Sequence, residues 1–242
     1  MSDVILITGG SRGIGFETAR QLGHSGATVI ITGRTEESVA AAAEKLISER
    51  LSVEPEVVDV TSYADVQRLA DTVANRFERL DALVNNAGVA AEWIYPDPDG
   101  YVDPRAARVT LETNVLGVFH MVEAFLPLLR RSPAGRIVNV SSFTGSLTLQ
   151  AQAQQGDLIV PAYQASKAAV NSITLTLSTM LRDSPIRVVS VDPGFVQTDF
   201  SPINRTQAPL TAAQGAQPIT RAATGDLLPG TFVSHNAAVV PW

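Results

Sequence analysis

The sequence contains no cysteine, which excludes disulfide bonds, thiol catalysis and thiolate metal sites. Its three histidines, His24, His120 and His235, lie far apart without the spacing of metal ligands, so we expect no metal site. It has no run of basic residues and its net charge is -6, which argues against nucleic acid or an anionic membrane surface as its partner. The apolar run near its N-terminus is too short for a signal peptide or a membrane span, so we expect a cytoplasmic protein.

Lysine is almost as scarce as cysteine, since only Lys45 and Lys167 stand among the 18 basic residues. Tyr163, one of four tyrosines, comes four positions before Lys167 in "PAYQASKAAV". This spacing places both side chains on one face of a helix. The pair is therefore a candidate functional site, although Tyr163 could instead anchor the start of a helix and Lys167 could be a solvated charge.

The 242 residues, 45% hydrophobic and 17% charged, fit one α/β domain that spans residues 1–242. Short β-branched runs alternate with amphipathic stretches such as 36–49 and 64–79, which predicts a doubly wound parallel sheet. A loose region at about 195–225, with a helical stretch at 211–223, is a candidate substrate lid. The predicted strands are 4–8, 28–32, 57–60, 82–85, 136–140, 187–191 and 231–234.

A glycine-rich turn, "TGGSRGIG", follows the first predicted strand and leads into a helix. In this setting Gly9 would permit the tight turn, Gly13 would let the backbone approach a pyrophosphate, and Gly15 would allow close packing of helix on strand. The helix N-terminus would offer free N–H groups to the phosphates. A glycine-rich connection without a ligand is the alternative. The predicted cofactor residues of the turn are Gly9, Ser11, Arg12, Gly13, Ile14 and Gly15.

The end of the second strand indicates which dinucleotide would bind. An Asp or Glu there would bind the ribose hydroxyls of NAD, whereas this chain has Gly33 followed by Arg34. Arg34 and Arg12 could together hold the 2′-phosphate of NADP, so we predict NADP(H) as the cofactor. Two solvated surface arginines are the alternative. Asp59 and Val60 could bracket the adenine, although Asp59 could equally be a cap before a helix.

Further motifs occur in a characteristic order along nearly the whole chain. After the glycine turn come "NNAG" at 85–88, "NVLG" at 114–117, "VNVSS" at 138–142, "YQASK" at 163–167 and "DPGFVQT" at 192–198. With these motifs the chain resembles the short-chain dehydrogenase/reductase family, and its details resemble the carbonyl reductase branch most. The resemblance implies a seven-stranded Rossmann sheet and hydride transfer between NAD(P)(H) and an alcohol or carbonyl.

The resemblance implies roles for four residues of the reaction site. Tyr163 would be the general acid in reduction, Lys167 would stabilise its phenolate and hold the nicotinamide ribose, and Ser142 would bind the substrate oxygen. Asn114 would hold a water against Lys167 as part of a proton relay, or it could be a polar group satisfied by backbone. The resemblance also implies cofactor contacts from Asn86, Ala87, Gly88, Pro193, Gly194, Val196 and Thr198.

Two features depart from the family pattern. The segment between Ser142 and Tyr163 is longer than usual, and we interpret its part 150–156 as an insertion beside the active-site entrance. Such an insertion leaves the oligomeric state open between monomer, dimer and tetramer. Asp192 stands where many members have Asn, and we expect little consequence.

The substrate is predicted to be a small apolar carbonyl compound or alcohol, because aromatic side chains without convergent arginines follow the strands. The predicted function is therefore NADPH-dependent reduction of ketones and aldehydes. The alternatives are a secondary alcohol dehydrogenase that works oxidatively and a non-catalytic NADP-sensing protein. The candidate pocket residues are Trp93, Tyr95, Phe143, Leu147, Phe195 and Phe200, each of which could instead close the core under a loop.

Overall fold

Seven parallel strands form a single sheet in the computed structural model, which describes residues 2–97, 100–154, 158–225 and 227–242. The strands are β1 Val4–Ile7, β2 Thr28–Gly33, β3 Val53–Val57, β4 Ala82–Asn85, β5 Arg136–Val140, β6 Arg187–Val191 and β7 Phe232–Val233. Their order in the sheet is β3-β2-β1-β4-β5-β6-β7. This order confirms the predicted doubly wound Rossmann sheet.

Helices connect the strands and cover both faces of the sheet. They are α1 Gly13–His24, α2 Glu36–Ser48, α3 Tyr63–Arg76, α4 Pro104–Leu111, α5 Gly117–Leu129, α6 Leu147–Gln150, α7 Pro161–Met180, α8 Pro202–Gln207 and α9 Ala212–Thr224. Two 3₁₀ turns, Ala91–Trp93 and Phe143–Gly145, and a π-helical turn, Glu112–Leu116, complete the regular structure of the described residues. The predicted helical stretches therefore correspond to α2, α3 and α9, with small differences at their ends.

Every residue of β1 is apolar because helices cover both faces of this strand. Ile5 and Ile7 contribute to one buried cluster, which α1, α2 and α9 cover, whereas Val4 and Leu6 contribute to a second cluster beneath α3, α5 and α7. Successive side chains of a strand point to opposite faces, so a strand covered on both faces must be apolar at every position. The core is thus a pair of layers on either side of the sheet.

The third strand lies earlier than predicted. We expected it at 57–60, but the structure places β3 at Val53–Val57, at the edge of the sheet. The pattern "VEPEV" does not read as a buried strand because only Val53 is buried, as an edge position allows. An edge also tolerates Pro55, which has no N–H to donate to a neighbouring strand. Asp59 and Val60 consequently lie in the loop after the strand.

Residues Pro104–Leu129 form a helix of 26 residues, and 18 consecutive residues within it have a mean hydropathy of 1.2, so this helix reaches the length and hydropathy of a membrane-crossing one. This stretch combines α4, the π-helical turn and α5. Met121 and Phe125 of α5 are fully buried in the core beneath the sheet. Packing on the sheet accounts for the apolar composition of this helix, as it does for core helices generally.

Candidate active site

The site begins where β1 and β4 end side by side, at the point where the strand order reverses. The Thr8 hydroxyl accepts hydrogen bonds from the backbone nitrogens of Asn86 and Ala87, both at 3.0 Å. The Asn86 amide nitrogen donates in return to the carbonyls of Thr8, at 2.8 Å, and Gly9, at 3.1 Å. Gly9 has φ of +66°, a conformation that favours glycine, and Gly15 has no room for a Cβ against the Gly9 carbonyl. These contacts hold the glycine turn against the loop after β4.

A cavity of about 1120 Å³ opens above this turn. It runs along the carboxyl ends of the strands, where ligands of doubly wound sheets bind. Of the predicted catalytic and cofactor-binding residues, only Asn114 does not line it. The lining includes Gly9, Ser11, Arg12, Gly13, Ile14, Gly15, Arg34, Asp59, Val60, Asn86, Ala87, Gly88, Ser142, Tyr163, Lys167, Pro193, Gly194, Val196 and Thr198. The cavity therefore brings together residues that are distant in the sequence.

Three polar side chains converge near the middle of the cavity. Ser142 follows β5, and its hydroxyl accepts hydrogen bonds from the Thr144 nitrogen at 3.2 Å and the Thr144 hydroxyl at 3.0 Å. The same hydroxyl lies close enough to the phenol of Tyr163, on α7, to act on its pKa. The Lys167 ammonium, one helical turn further on, lies 5.6 Å from the centroid of the Tyr163 ring and donates to the Val140 carbonyl at 2.7 Å. Ser141, by contrast, is buried and directs its hydroxyl to the Lys167 carbonyl at 3.4 Å. The second serine is therefore the one that faces the tyrosine.

Burial changes the acidity of both titratable groups. It raises the pKa of Tyr163 above its ordinary value, an effect that the negative charge of Asp192 increases and the neighbouring Ser142 hydroxyl opposes. Burial lowers the pKa of Lys167 to about 8, because the charged form loses its hydration. At neutral pH the site thus holds a protonated phenol beside an ammonium group that titrates just above neutrality.

Asn114 lies behind the cavity wall, in the π-helical turn. Its amide oxygen accepts from the Val89 nitrogen at 2.8 Å, and its amide nitrogen donates to the Val89 carbonyl at 2.8 Å and to the Ser166 hydroxyl at 2.9 Å. These bonds match the alternative of a polar group satisfied largely by backbone. They join the loop after β4 to α7, and a relay role for Asn114 stays a prediction.

One end of the cavity, where the sequence predicts the adenosine of the cofactor, carries the two predicted arginines. Arg12 and Arg34 are exposed and line the cavity. A Cβ on Gly33 would lie 2.6 Å from the Val39 side chain, so this position has no space for a carboxylate side chain without local movement. Asp59 accepts from the nitrogen and hydroxyl of Thr61, at 2.9 and 2.8 Å, and thus closes a turn instead of capping a helix.

Apolar side chains surround the opposite end. Trp93, Phe143, Phe195 and Phe200 of the predicted pocket line the cavity, and Leu158, Val160 and Ile203 join them. Leu147 and Tyr95 do not line it. Leu147 is exposed on α6, and the Tyr95 ring packs under the Arg105 guanidinium at 5.0 Å. Which side of a loop faces the cavity depends on packing between distant segments, for which a single sequence carries no signal.

Asp192 has a larger role than we expected from the sequence. Its buried carboxylate accepts a hydrogen bond from the Gly194 nitrogen at 3.2 Å and another from the Phe143 nitrogen. It therefore joins the loops after β5 and β6, and its charge acts on Tyr163. Burial raises the pKa of Asp192 above its ordinary value. The substitution of Asp for the more usual Asn was the only sequence signal.

The doubly wound sheet, the glycine turn and the cluster of Ser142, Tyr163 and Lys167 at its cavity together define a Rossmann protein of the dinucleotide-binding type. The family profile described as short chain dehydrogenase matches residues 3–208. A short-chain dehydrogenase of Penicillium roqueforti, anuI, is 37% identical over 231 residues, which are 91% of this chain and 88% of the relative. The chain therefore belongs to the short-chain dehydrogenase/reductase family and is an oxidoreductase of the kind that uses a nicotinamide cofactor.

Two solved structures are similar over nearly the whole chain. One is a short-chain dehydrogenase from Escherichia coli CFT073 complexed with NADPH, with 30% identity and a TM-score of 0.84 over 96% of each chain. The other is the NADPH-bound carbonyl reductase from chicken fatty liver, with 25% identity and a TM-score of 0.84 over 100% of this chain and 99% of that one. These likenesses confirm the predicted fold and family.

Proposed function

We propose that this protein reduces ketones and aldehydes to alcohols with NADPH, and that Tyr163 is the general acid. The observation that carries the proposal is the convergence of Ser142, Tyr163 and Lys167 on the wall of the cavity that also contains the glycine turn. A Rossmann domain that only binds a nucleotide would need the turn but would have no use for this cluster. The cluster is complete, which favours an enzyme over the NADP-sensing alternative.

The chemistry follows from the protonation states of the site. Bound NADPH supplies the hydride. A carbonyl oxygen that accepts hydrogen bonds from the hydroxyls of Ser142 and Tyr163 is polarised, and Tyr163 donates its proton as negative charge develops on that oxygen. The raised pKa of Tyr163 keeps this proton available at neutral pH. The Lys167 ammonium stabilises the phenolate that remains.

The cofactor preference rests on charge and space at the adenosine end. Arg12 and Arg34 would hold the 2′-phosphate of NADP by charge-assisted hydrogen bonds. Gly33 occupies the position where a carboxylate would bind the ribose hydroxyls of NAD, and Val39 crowds any side chain there. Two similar structures contain NADPH, which supports the same preference.

The substrate end favours an apolar carbonyl compound. Its lining is mainly aromatic and aliphatic, and Phe200 packs against Tyr163 with 5.5 Å between the ring centroids. Such a wall excludes water from the phenol and binds apolar groups beside the reacting carbon. An aryl ketone or a bulky aliphatic aldehyde fits this description better than a charged metabolite.

The test is the consumption of NADPH, followed by its absorbance, with a panel of aryl ketones and aldehydes. We expect turnover with NADPH to exceed turnover with NADH, and Tyr163→Phe to lower kcat by a factor of about 10² to 10⁴. Cofactor binding without turnover of any carbonyl or alcohol would favour the sensing protein instead. Faster oxidation of secondary alcohols by NADP⁺ than reduction of every ketone, at neutral pH, would favour the oxidative alternative.

A further inference from the structure

The N-terminus of the helix that carries Tyr163 and Lys167 is only partly capped by its own residues, since Gln164 accepts from the Val160 nitrogen at 3.2 Å but the N-cap side chain binds nothing in the first turn. Helix α7 begins at Pro161, and the preceding Val160 offers no side-chain hydrogen bond to the first turn. The first N–H groups of a helix require acceptors, and proline at the first position removes only one of them. The Glu92 carboxylate supplies the acceptor, because its Oε1 accepts from the Tyr163 backbone nitrogen at 2.9 Å. The cap thus comes from a residue 71 positions earlier in the chain.

We propose that Glu92 is a positioning residue for Tyr163. By holding the Tyr163 nitrogen, Glu92 fixes the first turn of α7 and thereby the position of the phenol that acts as the acid. The inference rests on the proposed function of Tyr163. It assigns Glu92 no contact with the substrate, since Glu92 does not belong to the cavity lining, whereas its neighbour Trp93 does. A carboxylate suits this place because the N-terminus of a helix carries a partial positive charge.

The backbone of Tyr163 is held on both sides. Glu92 binds its nitrogen, and the Ser166 hydroxyl donates to its carbonyl at 2.7 Å. Ser166 is itself bound by the Asn114 amide. The 3₁₀ turn that carries Glu92 is fixed in turn, because the Ala91 nitrogen donates to the Thr110 hydroxyl at 3.1 Å. The loop after β4 therefore positions the catalytic helix as well as the cofactor site.

The charge of Glu92 also acts on the phenol. Together with Asp192 it favours the protonated form of Tyr163, whereas the Lys167 ammonium at 5.6 Å from the ring favours the phenolate. The other Glu92 oxygen, Oε2, is enclosed, and no described residue donates to it. Its charge is therefore not neutralised by a donor on that side. The nearby cations of α4 are engaged elsewhere, Arg105 with Asp103 and Arg108 with Glu112.

Two substitutions separate position from charge. Glu92→Gln keeps an oxygen acceptor for the Tyr163 nitrogen and removes only the charge, while Glu92→Ala removes both. We expect Glu92→Ala to lower kcat for ketone reduction by about 10- to 100-fold, the size of effect that a misplaced reacting group causes, with the NADPH Kd unchanged within about twofold. We expect Glu92→Gln to keep kcat within about threefold of the wild type.

The dependence of kcat on pH separates the two roles of Glu92, because its charge would shift this profile whereas a purely structural cap would not. Alcohol oxidation, the reverse reaction, requires the phenolate, so the acidic limb of its kcat profile follows Tyr163. We expect Glu92→Gln to move this limb to lower pH by up to about one unit, since the loss of a negative charge that acts on the phenol favours the phenolate. Glu123→Gln, the same charge change on the exposed face of α5, should leave the profile in place.

The outcomes distinguish the two proposals. If the wild type shows no turnover, or Tyr163→Phe matches it, the proposed function fails and the inference fails with it. If those controls behave as expected but Glu92→Ala has wild-type kcat, or Glu92→Gln leaves the limb unmoved, only the role of Glu92 is overturned. Should Glu92→Ala not fold, the profile of Glu92→Gln decides the question alone.

Discussion

The two ends of the cavity are built by different means. At the cofactor end, backbone groups and small buried side chains meet, as in the reciprocal hydrogen bonds between Thr8 and Asn86. At the substrate end, large apolar side chains project from segments outside the sheet, and Phe143 and Leu158 leave about half of their surface exposed. Close approach of backbones permits few residue types, whereas an apolar wall permits many. The first end is therefore tightly specified by short motifs and the second is not.

Lys167 lies where the two ends meet, and its replacement should have the largest effect. Lys167→Met removes the ammonium that we propose stabilises the phenolate, so we expect kcat for ketone reduction to fall about 10³-fold, within the range of acid–base catalysis. Lys167→Arg should not restore it, because the lysine is buried and its compact ammonium donates to the Val140 carbonyl at 2.7 Å, a place that the broader, planar guanidinium does not fit. Steady-state kinetics at saturating NADPH measure both effects.

The matched control is the other lysine of the chain. Lys45 is exposed on α2, far from the cavity lining, and Lys45→Met should retain wild-type kcat. If kcat of Lys167→Met stayed within tenfold of the wild type, the reaction would not depend on this lysine. Lys167 would then not connect the function of the two ends of the cavity.

The cofactor end has a sharp test of its own. Arg34→Asp removes a cation that we assign to the 2′-phosphate and adds a repelling charge, so the ratio of kcat/KM with NADPH to that with NADH should fall about 10- to 100-fold. Arg182→Asp, the same change on an exposed residue after α7, should leave the ratio unchanged. An unchanged ratio in Arg34→Asp would show that the cofactor end does not select by this charge.

Prediction from the sequence succeeded where a motif reflects backbone geometry. The glycine turn, the "NNAG" loop and the spacing of Tyr163 and Lys167 all describe positions at the carboxyl ends of strands, and the structure brings them to one cavity. The sheet was equally predictable, because runs such as Val4–Ile7 are apolar at every position. Only β3 was displaced, since an edge strand with a single buried residue, Val53, lacks that pattern.

What the sequence did not reveal is pairing between distant segments. Asn85, Asn139 and Thr174 form a buried chain of hydrogen bonds, at 2.9 Å each, that fastens α7 to the sheet. Glu92 reaches α7 in a similar way. Each of these residues alone is an ordinary polar group, and its partner is defined only once the chain has folded. The same holds for the choice of Leu158 over Leu147 in the substrate wall.

The affinity for NADPH should depend on pH through Lys167. The pKa of this residue is about 8 in the structure, and bound phosphates and ribose would favour its charged form. Binding therefore takes up a proton above that pKa, so the Kd should be constant below about pH 7 and rise about eightfold between pH 7.5 and 9. Tyr163 stays protonated in this range because its pKa is raised. Fluorescence titration of the cofactor measures the change.

The same titration on Lys167→Met provides the control, since a variant without this ammonium should bind more weakly but with a Kd that is flat from pH 7.5 to 9. A wild-type Kd that is equally flat would contradict the prediction. It would show that Lys167 does not titrate in this range or that its charge does not affect NADPH binding.

The substrate end should respond to change mildly and selectively. Phe200 packs against Tyr163 and lines the cavity, so Phe200→Ala removes apolar surface that a bulky substrate would cover. We expect the KM of aryl ketones to rise about fivefold while kcat and the NADPH Kd hold, because this surface binds substrate and transition state alike. Small aliphatic ketones, which are too short to reach the ring, should show less than a twofold change. Phe119→Ala, on an exposed face of α5, serves as the matched control. Equal changes for small and bulky substrates would mean that Phe200 supports Tyr163 and does not select the substrate, and the two ends of the cavity would then differ less than their construction indicates.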